Sequence, residues 1–172
     1  DFSTCHIGFV TLLEDSLGLP EMVVTAARAR GCAADVLKMF RDRLLVHHDD
    51  EERDLFPAVL QVAASGEEAE RAQAMVTQLI REHREIAQLW KKLEPAVQAI
   101  ANGDLPQLDS ALLQEMVRRF NEHVRMEEVE FLPFAQLVLA RQAEDMAALG
   151  LALHRRHEAD EIMATAVVYG AS

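Results

Sequence analysis

Two eleven-residue stretches, HHDDEERDLFP at 47–57 and HVRMEEVEFLP at 123–133, share one skeleton: a histidine, two adjacent glutamates starting four residues on, a bulky apolar pair, then proline. A shift of 123 − 47 = 76 residues carries His47 onto His123, Glu51 onto Glu127, Leu55 onto Phe131 and Pro57 onto Pro133. Upstream it carries Phe40 onto Met116 and Leu44 onto Phe120. Apolar residues three and seven places before each histidine share one helical face. Both phrases therefore predict amphipathic helices with the same inward stripe, and a chain that repeats such a stripe is constrained to a pair of helical hairpins, 4–65 and 67–140, about an approximate twofold axis.

Periodicity near 3.6 continues almost everywhere, and no segment alternates like a strand. A first helix is predicted over Thr4–Leu17, ended by Gly18 and Pro20, and a short helix or ordered loop over Glu21–Arg30. A long helix after Gly31 runs to Ser65-Gly66, with a kink at Pro57. The next spans 67–102, and after the loop DLPQLD another carries Pro133 and ends near Ala140. The expected class is all-α, an up-down-up-down four-helix bundle over residues 1–140. Residues 141–172 are expected to add an extra C-terminal helix and a tail packed on or extending it.

The charge balance of 17 basic against 29 acidic residues, net −12, opposes binding to nucleic acid and to anionic membranes. Small ligands, cations, protein partners and a homodimer remain compatible. The two cysteines, Cys5 and Cys32, have no disulfide or zinc-site spacing. No apolar run approaches the ~18 residues of a membrane span. The expectation is a cytoplasmic chain with no secretion signal.

A histidine and a glutamate four apart on a helix sit ~40° apart around it and ~6 Å apart along it, so both reach one point. His47 with Glu51 and His123 with Glu127 are such pairs on core-facing stripes. His6, flanked by Phe9, Val10 and Leu13, and His83, flanked by Leu79, Ile80, Ile86 and Trp90, are expected to point inward too. Buried carboxylates left alone cost several kcal/mol each. Two divalent or trivalent cations remove that cost, and imidazole with carboxylate suits iron, manganese or zinc.

In order, CH at 5–6, HHDDEERDLFP, EH at 82–83 and HVRMEEVEFLP resemble the hemerythrin-like family, the HHE cation-binding domains of bacterial type. The resemblance implies two non-haem Fe ions, carboxylate-bridged and oxo- or hydroxo-bridged, inside a four-helix bundle. It further implies His6 and His47 on one iron, His83 and His123 on the other, and Glu51 and Glu127 between them. Oxygen-carrying hemerythrins have a further histidine where this chain has Ala87, and H-x-x-x-x-D where it has H-x-x-x-E on the last helix. The implied function is interaction with dioxygen, nitric oxide or peroxide, in sensing or binding or in redox and iron homeostasis, rather than simple oxygen carriage. Its pocket would be lined by Phe9, Phe40, Phe120, Phe131 and Trp90.

Two other readings compete. One is an enzyme or repair factor that mends iron-sulfur centres or consumes peroxide or nitric oxide. The other is a helical interaction module with a structural metal such as zinc; zinc or manganese could also replace iron in a recombinant sample. His48, ~100° from His47, is expected at the surface or behind a ligand. Glu52, Glu82 and Glu128 are candidates to hydrogen-bond ligand imidazoles. The small Gly8, Cys5 beside His6, and His154, His157 and Glu158 in LHRRHE read more simply as packing or helix-end features.

Overall fold

The computed structural model describes residues 10–141. His6, Phe9 and the segment 142–172 lie outside them, and with these the first expected ligand, the LHRRHE cluster and the expected C-terminal helix. The described chain is all-α, with no strand among the described residues. It falls into two compact units, residues 10–38 with 94–108 and residues 39–93 with 109–141.

In the first unit, residues 10–15 are helical, Ser16–Gly18 form a 3₁₀ turn and α1 follows at Leu19–Met39. The expected break at Gly18 and Pro20 is thus only a tightened turn, in which the Leu19 N–H donates to the Ser16 carbonyl. Pro20 sits in the first turn of α1, where a missing N–H costs little. Gly31 lies within α1 and does not end it. Val10 and Leu13, expected to flank an inward His6, are exposed. Arg30 donates through Nε to the Ala101 carbonyl at 3.0 Å, tying α1 to residues 94–108.

The second unit holds three helical runs. The first is α1's last residue, a π-turn π1 (Phe40–Leu44), α2 (Leu45–Asp50), a second π-turn π2 (Glu51–Leu55) and α3 (Phe56–Val62). The second is the larger part of α4 (Glu67–Asn102). The third comprises α5 (Ser110–Met126), a π-turn π3 (Glu127–Phe131) and α6 (Leu132–Leu139). Gly66 and Gly103, at φ 93° and 96°, provide the left-handed residues in the links on either side of α4. Asp109 caps α5, accepting from the backbone N–H groups of Ala111 and Leu112, both at 3.0 Å.

A kink was expected at Pro57; the structure has a π-turn ending just before it, and another just before Pro133. The Phe56 N–H donates to the Glu51 carbonyl and the Leu132 N–H to the Glu127 carbonyl, five residues back. The wider turn accommodates the helical step at which proline brings no donor. The duplicated phrase therefore writes the same backbone feature twice. Beneath it, α3 and α6 pack around Phe56, Val59, Phe131 and Val138, with Ala72, Val76 and Leu79 of α4 closing the core. The rings of Phe56 and Phe131 meet edge to face at 5.2 Å, so the apolar pairs of the two phrases touch across the core.

Candidate metal centre

Directly above that core, the same three runs bury five side chains that can bind a metal: His48, Glu51, His83, His123 and Glu127. Each is 4% exposed or less. His47 is half-buried at the edge of the group. Their donor atoms form two clusters, His48 with His83 and His123, and His47 with Glu51 and Glu127. Within each, the donors lie within 4.8 Å of one another. One ion with bonds of ~2.1 Å needs its donors about 3–4 Å apart, so small rotamer changes close either cluster on a cation.

Both histidine–glutamate pairs have the local geometry their spacing predicts. Nε2 of His47 lies 3.5 Å from Oε1 of Glu51, and Nε2 of His123 lies 3.7 Å from Oε2 of Glu127. Glu51 also looks the other way, with Oε2 3.5 Å from Nε2 of His83. Its two oxygens therefore face histidines of different clusters.

The approach of His83 to Glu51 is not an ion pair. Burial, with the neighbouring histidines His48 and His123 adding to it, lowers the pKa of His83 to about 2. Burial chiefly, then His123 and His47, lowers His48 to about 3. Both rings are neutral near pH 7. Glu51 is held far above the ordinary carboxylate range by burial and by Glu127 beside it. Nε2 of His48, Nε2 of His83 and both oxygens of Glu51 are buried with no hydrogen-bond partner among the described residues. Buried polar groups are rarely left so. Imidazole nitrogens and carboxylate oxygens buried and converging in this way are a donor set suited to a cation.

Two further carboxylates orient the rings. Glu52 Oε1 lies 2.8 Å from Nδ1 of His83, and Glu82 Oε2 lies 3.2 Å from Nδ1 of His123. An ionised carboxylate can only accept, which assigns the proton to Nδ1 and leaves the Nε2 lone pair facing the centre. Of the three glutamates singled out for this role, Glu128 is exposed instead. Phe40 and Trp90 stack at 3.9 Å and are buried, as is Phe131, while Phe120 is half-buried with its ring 6.4 Å from His123.

Of the two places expected for His48, at the surface or behind a ligand, the surface is excluded: it is 4% exposed and its ring stacks on His83 with centroids 3.8 Å apart. The cause is π1, which adds a residue to one turn, so that each residue after it lags the place that a 3.6-residue count assigns. Leu44, His48, Glu51 and Leu55 then follow one buried line, with His47 beside it. No such turn precedes His123 in α5, which is why the 76-residue comparison gives no hint of it.

Residues 1–135 match the family model described as the hemerythrin HHE cation binding domain. An uncharacterized protein of Haemophilus influenzae is 25% identical over 96 residues, 56% of this chain and 52% of that one. The match thus spans about half the length of the curated relative. No solved structure matches the chain.

Proposed function

From its place in the hemerythrin HHE cation-binding family, to which this chain belongs, we propose that it is a cytoplasmic, carboxylate-bridged di-iron protein acting on dioxygen, nitric oxide or peroxide. The observation that carries this is Glu51, whose two buried oxygens face His47 and His83 in separate donor clusters. A carboxylate so placed can serve two ions at once, and Glu127 sits beside it in the same cluster as His47. Bound iron supplies the redox chemistry toward the diatomic gas or peroxide. The chain supplies neutral imidazoles, two central carboxylates and, through Glu52 and Glu82, fixed ring orientations. Phe56 and Phe131, both 1% exposed or less, close the centre from below and keep water out on that side.

Replacing a bridge and a terminal ligand separates the roles. Glu51→Ala is expected to weaken both irons, whereas His83→Ala releases chiefly one; iron per chain by elemental analysis after gel filtration reads the difference. Equal retention by the two variants and the parent contradicts the assignment.

A further inference from the structure

His48 stands outside the six-residue ligand set that the resemblance implies, yet at 4% exposed it is buried like Glu51 and Glu127. Its ring lies parallel to His83, interplanar angle 3°, and edge-on to His123, with centroids 5.2 Å apart. Its Nε2 is buried with no hydrogen-bond partner among the described residues. A packing role would not need that nitrogen. At the matching position of the second phrase, 48 + 76 = 124, the chain has Val124, so an apolar residue serves there. One turn after His83, Ala87 offers no donor atom.

We propose, resting on the di-metal reading, that His48 is a metal ligand which joins His83 and His123 in a three-imidazole site, beside which lie Oε2 of Glu51, 3.5 Å from His83 Nε2, and Oε2 of Glu127, 3.7 Å from His123 Nε2. The other site then has His47, Oε1 of Glu51 and Glu127 as its described donors. The first position is the richer in imidazole nitrogen among the described residues, and remains so with His6 counted beside His47. Imidazole suits zinc and ferrous iron, and carboxylate suits manganese. The nitrogen-rich position is therefore the one that zinc fills first.

The test uses the full chain, stripped with a chelator and titrated with zinc, followed by NMR of the histidine ring nitrogens. Movement of the His48 Nε2 resonance together with those of His83 and His123 at the first equivalent supports the proposal; a His48 resonance that stays in place overturns it. In parallel, His48→Leu is expected to weaken the first zinc by more than about 100-fold, beyond what loss of an outer partner costs. Retention within a few-fold by a variant of parental helicity overturns the proposal while leaving the di-metal centre standing. A parent chain that takes up neither zinc nor iron overturns both.

Discussion

The orientations of the His83 and His123 rings are decided by carboxylates on the side away from their Nε2 atoms. Glu52 holds Nδ1 of His83 and Glu82 holds Nδ1 of His123. Removing either lets its ring turn or exchange tautomers. Glu52→Ala and Glu82→Ala should each raise the dissociation constant for metal by about 10–100-fold, measured by competition with a chromophoric chelator. Affinities equal to the parent's would contradict the role. Most of this was legible in the sequence: His47 and Glu51, and His123 and Glu127, make the pairs that four-residue spacing predicts, and Glu52 and Glu82 are chain neighbours of ligand candidates. His48 was hidden because an angle counted at 100° per residue fails across a π-turn, and nothing in FRDRL marks one.

At the scale of elements, helix ends with strong local chemistry were readable and those set by packing were not. Asn102-Gly103 and the loop to Asp109 end and begin helices where expected, because a left-handed glycine and an aspartate cap act locally. Gly18, Pro20 and Gly31 carry the same punctuation and end nothing, since a 3₁₀ turn brings Pro20 into the first turn of α1. The prolines of the two phrases follow π-turns for a related reason, and those turns set the side chains around the metal centre. The Asp109 cap gives a clean check: Asp109→Ala leaves two N–H groups at the start of α5 without their carboxylate and should cost about 1 kcal/mol in urea unfolding. No change in the midpoint would show that α5 is held by packing alone.

For the whole molecule, the repeat is legible as a core in which Phe56 and Phe131 meet, with a donor set above it that the same two runs and α4 bury. The all-α class followed from periodicity. Of the first expected helix, residues 10–15 are helical, and His6 lies outside the described residues. A net charge of −12 draws cations toward the chain and burdens a buried carboxylate pair, so binding a metal relieves what folding alone leaves costly. Loss of metal should accordingly lower the melting temperature, since a cation that binds only the folded chain stabilises it by mass action. The central claim is tested most directly by iron content measured together with the near-ultraviolet and visible spectrum. Two donor clusters predict about two irons per chain and charge-transfer absorption that a reductant bleaches. A chain that is metal-free, colourless and equally stable with and without added iron would contradict it.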